Sequence, residues 1–198
     1  MRRLLASGAL FFAATVVAAG DPLFDAVSEG NVLAVERSLA AGANVDSRAR
    51  DQATPLINAA LANRTAIVEL LINKHADVMA RNAGGFTALH AAAYSGSIPI
   101  SKLLLDHGAI LDDASNKAGV TPLMVAGEEN HVALAEFLLI KGADIGHVEV
   151  HGYTPIARAI WKGNLDVVRL FKRYGVACPP TSVLRSDEFY TKCMEIHE

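Results

Sequence analysis

The segment His147-Val148-Glu149-Val150-His151 is where residue types that bind metals alternate most closely in this 198-residue chain. On an extended hairpin, alternation places both imidazoles and the carboxylate on one side, within reach of a metal ion. A closed zinc site needs a fourth ligand and none accompanies these three. Surface contact is therefore the first expectation for this segment, and metal binding through His147, Glu149 and His151 the outside alternative. Cys178 and Cys193 are the only cysteines. A disulfide between them suits an oxidising compartment and would close a loop of about 15 residues, with two free thiols as the other reading. His90 opens an alanine-rich run and is expected to bond backbone groups of neighbouring hairpins rather than to catalyse. The sequence contains no glycine loop leading into a phosphate-binding Lys, no HExxH pair and no GxSxG elbow. The expectation is a non-enzyme without cofactor or resident metal, whose function lies in a surface.

The elements that position these residues recur. In Asn82 to Asp113, NAGGFTALHAAAYSGSIPISKLLLDHGAILDD, Gly85 suits a tight turn, Thr87 caps a helix and Gly96 ends it. Ser97 and Pro99 start a second helix with Ile100, Leu103 and Leu104 at helical spacing, and Gly108 closes it. Thr54, Thr87, Thr121 and Thr154 open TPLI, TALH, TPLM and TPIA at steps of 33 or 34 residues, and Asp21-Pro22-Leu23-Phe24 stands one step earlier. In phase with them run Gly30, Asn63, Gly96, Asn130 and Gly163, the two residue types that best tolerate the left-handed backbone. A third marker runs Gly42, His75, Gly108, Gly142, Gly175, with His75 as its departure. Gln52 replaces a turn glycine, so a distorted finger is expected there, and the 34-residue step places an extra residue between Ile110 and Asn116.

These three signals closely resemble the ankyrin-repeat family over about residues 21–177. The resemblance implies an all-α solenoid of five helix-turn-helix repeats with projecting hairpin fingers and a concave face. The repeats fall at about 21–48, 49–81, 82–115, 116–148 and 149–178, within an ankyrin-repeat domain at 21–178. Residues 179–198 follow as a capping segment, broken from the solenoid by Pro179-Pro180 and carrying Val183, Leu184, Phe189, Tyr190 and Met194 to cover the apolar flank of the last repeat. In the first repeat, Arg37-Ser38 replaces the apolar pairs Leu70-Leu71, Leu103-Leu104 and Phe137-Leu138 of later ones, as a water-facing end requires.

Residues 1–20 read as a secretory signal. Arg2 and Arg3 precede an apolar run from Leu4 to Val17, and small residues through Gly20 place cleavage after Ala19 or Gly20. A membrane anchor is the other reading, but the run is shorter than the roughly 20 apolar residues of a spanning helix. The layout suits bacterial export to the periplasm, with eukaryotic secretion as the alternative, and no cysteine stands at the cleavage region for lipid attachment. The formal charge is −3. Removing residues 1–20, with two arginines and no acid, takes it to −5, which argues against nucleic acid as a partner.

Ankyrin proteins bind other proteins through finger tips and the exposed edge of the first helices. Carried onto this sequence by register, those positions are the residues just before each Thr and those seven and eight after it. They are Arg50, Asp51 and Ala53 in the second repeat, then Phe86, Tyr94 and Ser95 in the third. The fourth contributes Lys117, Val120, Glu128 and Glu129, and the fifth His151, Tyr153, Trp161 and Lys162. The expected partner-binding set is Arg50, Phe86, Tyr94, Glu128, His151, Tyr153, Trp161 and Lys162, with the aromatics as anchors. Arg48, Arg50 and Arg81 form either a basic patch or a solvated charged edge.

The resemblance extends to small exported bacterial ankyrin-repeat proteins. It implies a periplasmic binding module, monomeric when free and off the membrane after cleavage, that binds one partner through its concave face and stabilises or modulates it, the partner being a resident enzyme such as a catalase. An immunity protein that neutralises a secreted toxin, such as a lipase effector, is the alternative.

Overall fold

Every repeat begins the same way, with a side-chain oxygen that fills an otherwise unmet backbone donor. Asp21 Oδ1 accepts from the Leu23 N–H at 2.9 Å, and the hydroxyls of Thr54, Thr121 and Thr154 accept from Ile57, Met124 and Ala157 at 3.3, 3.3 and 3.4 Å. Pro22, Pro55, Pro122 and Pro155 occupy the first helical positions, where no backbone N–H is required. In the third repeat the Thr87 N–H donates to His90 Nδ1 at 3.3 Å, and the Thr87 hydroxyl lies 3.0 Å from the same nitrogen. His90, fully buried, closes its own helix start.

The computed structural model describes residues 21–196, so the expected export signal at residues 1–20 lies outside the described residues. Regular structure among the described residues is entirely helical. The chain divides into two compact units at Ile110 and Leu111, beside the extra residue of the 34-residue step. The first unit contains α1 (Pro22–Glu29), α2 (Val32–Ala40), α3 (Pro55–Leu61), α4 (Thr65–Asn73), α5 (Ala88–Ser95) and α6 (Ile98–Asp106). The second contains α7 (Pro122–Glu128), α8 (Val132–Ile140), α9 (Pro155–Lys162), α10 (Leu165–Arg173), α11 (Thr181–Leu184) and α12 (Asp187–Glu195). Among the described residues no helix is long and apolar enough to cross a membrane.

Small residues let the first helices approach closely. Ala59, Ala60, Ala91 and Ala92 are buried in one core with Ile67, Val68 and Leu71 of α4 and Ile100 and Leu104 of α6. Each such leucine or isoleucine, fully removed from water, contributes about 1.5–3 kcal/mol. The outer helix α2 buries Val35 alone, while Arg37 is exposed and Ser38 half-buried, the polar end face that its sequence implied. In the second unit Phe171 lies against α7, where a Cβ on Gly127 would meet its ring at 3.4 Å.

The turn between the paired helices takes positive φ at Gly30, Asn63, Gly96, Asn130 and Gly163, as the Gly/Asn pattern required. His75 also adopts positive φ, 63°, in the glycine register. The expected distortion at Gln52 is absent. Gln52 takes φ 63° and the finger closes around it, with Gln52 N–H on Ala49 O at 2.9 Å and Ala49 N–H on Ala53 O at 3.0 Å. Two arginines reinforce the early fingers: Arg48 donates to the Gln52 and Arg81 carbonyls at 3.0 and 2.7 Å, and Arg81 to the Gly85 carbonyl at 3.0 Å. Of the expected basic patch, these two arginines are built into the fingers.

The C-terminal segment forms a cap. Cys178 and Cys193 are disulfide-bonded, with Cα atoms 5.9 Å apart. Leu184, Cys193 and Ile196 are buried, and Lys172 of α10 donates to the carbonyls of Cys193 and Ile196. Met194, expected to help cover the flank, is instead 54% exposed, because the adjacent Cys193 takes the inward position on α12.

Candidate partner-binding site

Each finger is built on one inward side chain that gathers backbone N–H groups. Asn82 Oδ1 accepts from Gly84 and Phe86 at 3.0 and 2.9 Å, and Asn116 Oδ1 from Ala118 and Val120 at 3.2 and 3.0 Å. In the second finger Asp51 Oδ1 accepts from Ala53 at 3.1 Å. Pinning the residue before the helix cap turns its side chain towards the helix start. Ala53, Phe86 and Val120, expected to face outward, are consequently buried. Phe86 is only 4% exposed and meets the His90 ring edge-on at 5.3 Å.

In the first unit this leaves Arg50, exposed on its finger, and Tyr94, half-buried on α5, as the expected binding residues that reach solvent. Ser95 is half-buried and donates to the Ala60 and Ala92 carbonyls at 2.9 and 3.2 Å, so it ties α5 to α3.

The fifth finger uses a carboxylate where the third and fourth use asparagine. Glu149, its side chain fully buried, accepts on Oε1 from the N–H groups of His151 and Tyr153, both at 3.1 Å. Its Oε2 lies 2.8 Å from His151 Nδ1 and 3.8 Å from Arg158 Nη1. His147 Nε2, by contrast, bonds the Gly119 carbonyl at 2.8 Å. The alternating segment therefore does not present three ligands to one point. Among the described residues no group of three or more His, Cys, Asp or Glu is placed to hold a metal ion.

Glu128 requires a larger correction. Expected as an exposed contact, it is 7% exposed, with Oε1 2.7 Å from Arg158 Nε and 2.6 Å from Nη2. Burial raises the Glu128 carboxyl above its ordinary value, and the nearby Arg158 and Lys162 pull it back only in part. Glu128, Arg158 and Glu149 thus form a buried charged chain ending at His151, whose side chain is 67% exposed. Asn164 adds to it by donating to the carbonyls of Gly127 and Glu128 at 2.8 and 2.7 Å.

On this base sit the remaining expected residues. Tyr153 and Trp161 are half-buried and in ring contact, with centroids 4.2 Å apart and planes tilted by 54°. The Trp161 indole N–H donates to the Leu184 carbonyl of the cap at 3.0 Å. Lys162 is exposed beside it, as are Val148 and Val150 on the finger. Lys117 is exposed on the fourth finger and Glu129 half-buried at the end of α7. The structure therefore brings Tyr153 and Trp161 together, leaves His151 on the finger and Lys162 on α9 exposed, and buries Glu128.

Sequence reasoning missed Arg158 and the Leu184 carbonyl. A signal for the first existed: four residues after the cap, where other repeats carry Asp25, Asn58, Ala91 and Val125, the fifth has a long cation. The Leu184 contact left no side-chain signature, because a backbone oxygen makes it.

Comparison with known proteins matches the chain to the family model for ankyrin repeats (3 copies) over residues 23–115, 78–149 and 110–179. It is 33% identical over 150 residues to ankyrin repeat protein nuc-2 of Neurospora crassa, covering 75% of this chain and 14% of that protein. It is 35% identical over 170 residues to ankyrin repeat and KH domain-containing protein CBG24701 of Caenorhabditis briggsae, covering 85% and 6%. With B-cell lymphoma 3 protein of Homo sapiens it shares 33% identity over 154 residues, covering 74% and 34%. The chain thus spans between 6% and 34% of the length of these relatives. Capped helix pairs, left-handed turns and hydrogen-bonded fingers agree with the matched model, and the chain belongs to the ankyrin-repeat family.

Proposed function

We propose that this protein is an exported, non-enzymatic module that binds one protein partner through the fifth finger and α9, and stabilises or modulates that partner in the periplasm. Ankyrin repeats are protein-interaction modules, which gives the class of function. The observation that carries the site is the Tyr153–Trp161 pair, held in ring contact and half open to solvent beside exposed His151 and Lys162. Aromatic side chains fixed before binding lose little conformational entropy in a complex, which is why such anchors dominate interface energetics. Export is supported by the basic and apolar opening of the sequence, and a disulfide suits the oxidising compartment that export reaches.

The test is affinity capture with residues 21–198 from periplasmic extract of the source organism, read by mass spectrometry. Enrichment of one resident enzyme is the expected result. Recovery of no resident protein, together with capture of a toxin encoded beside the gene, would replace this reading with neutralisation of an incoming effector.

A further inference from the structure

The cap does more than cover an apolar flank. Trp161 belongs both to the proposed binding face and to the cap contact: its ring meets Tyr153 and its indole N–H is held by the Leu184 carbonyl. Leu184 is fully buried at the end of α11, and Arg185 after it takes φ 53°, a left-handed conformation that a non-glycine residue keeps only under local constraint. The segment from Pro179 to Lys192, which includes Leu184, is closed into a loop by the Cys178–Cys193 bond. Besides that bond, α11 and α12 are joined to α9 and α10 by buried Leu184 and Ile196, the Trp161 hydrogen bond to Leu184 and the Lys172 donations.

We propose that the cap is a redox-dependent positioning device for Trp161: the intact disulfide holds Leu184 under the indole, and its reduction frees the indole and remodels the face. This rests on the reading of α9 as the binding face. Cys178 is half-buried while Cys193 is fully buried, so an external thiolate reaches the Cys178 sulfur more readily. Attack there forms a mixed disulfide and expels the Cys193 thiolate, which takes up a proton. The second thiol of a dithiol reductant then attacks its own sulfur in the mixed disulfide. This releases Cys178, which is protonated in turn, and leaves the reductant as a cyclic disulfide, two electrons and two protons having passed to the protein. Reduction restores to the open cap the loop entropy that the bond had removed.

Trp161 is the only tryptophan, so its emission reports on this contact without a partner. The experiment treats residues 21–198 with dithiothreitol until both thiols titrate, and records tryptophan emission, acrylamide quenching and far-ultraviolet circular dichroism. The expected result is a red shift and stronger quenching with the repeat helicity retained. The same spectrum should appear without reductant in Cys178→Ser/Cys193→Ser. Unchanged emission after full reduction would overturn the proposal, and so would loss of helicity in step with the shift, since the bond would then support the whole unit rather than the indole. Capture of a partner by the oxidised protein is read separately, so failure of this coupling leaves the binding reading standing, and failure of binding leaves the coupling measured.

Discussion

Arg158 on α9 and Glu128 at the end of α7 meet at 2.6 Å, both almost wholly shielded from water, and so join the fourth and fifth repeats through charge. Removing one partner leaves the other buried and poorly compensated. Arg158→Ala and Glu128→Ala should each lower unfolding free energy by about 3 kcal/mol. Urea denaturation of both, and of the double variant, checks this: the double variant should cost much less than the sum, whereas additive losses would mean the pair is uncoupled.

The same carboxyl sets a pH dependence. Glu128 is raised above its ordinary value of 4.5, so the folded state holds its proton more tightly than the unfolded chain. Its contribution is fully present below pH 4.5 and is lost as pH rises through the folded value. Glu128→Gln should remove that decline, so its urea midpoint should fall less than that of the parent between acid and neutral pH. Parallel midpoints would show that Glu128 titrates alike in both states.

Glu149 holds the fifth finger by accepting two backbone N–H groups on one oxygen. Glu149→Ala strands both donors and should cost about 1–3 kcal/mol. Hydrogen exchange at the His151 and Tyr153 amides should accelerate most, and Glu149→Gln, which keeps the acceptor, should protect them better. Equal exchange in all three proteins would place the finger's support elsewhere.

Gln52 holds a positive φ that glycine adopts freely. Gln52→Gly relieves a left-handed strain of about 1 kcal/mol, partly offset by the entropy of glycine in the unfolded chain. The variant should melt slightly higher than the parent. A lower melting temperature would mean that the Gln52 side chain supports the finger.

Much of the fold was written in short-range signals. Thr54, Thr87, Thr121 and Thr154 cap helices through local contacts, and Gly or Asn at the inter-helix turn answers a local backbone demand, so the period and the helix starts were legible. The errors depend on hydrogen bonds that the residue type at one position does not announce, those at Gln52, Phe86 and Val120 within a finger and that at Glu128 between repeats. Gln52 keeps its finger because Ala49, Ala53 and Arg48 close it, and a single position does not announce that support. Phe86 and Val120 turn inward because Asn82 and Asn116 hold their N–H groups, which register alone did not reveal. Glu128 is buried because a cation stands 30 residues later, in the next repeat. Arg50, Tyr94, His151, Tyr153, Trp161 and Lys162, expected to face outward, are half-buried or exposed, but the Trp161 link to Leu184 needed the structure.

The central claim is that the fifth finger and α9 hold a protein partner. Capture from periplasmic extract should be compared between residues 21–198 and the same protein carrying Tyr153→Ala and Lys162→Glu, after circular dichroism has established equal helicity. The account predicts that the protein enriched by the parent is lost with the variant, each anchor contributing about 2 kcal/mol. Equal recovery by both would contradict it and move the binding site to another part of the chain.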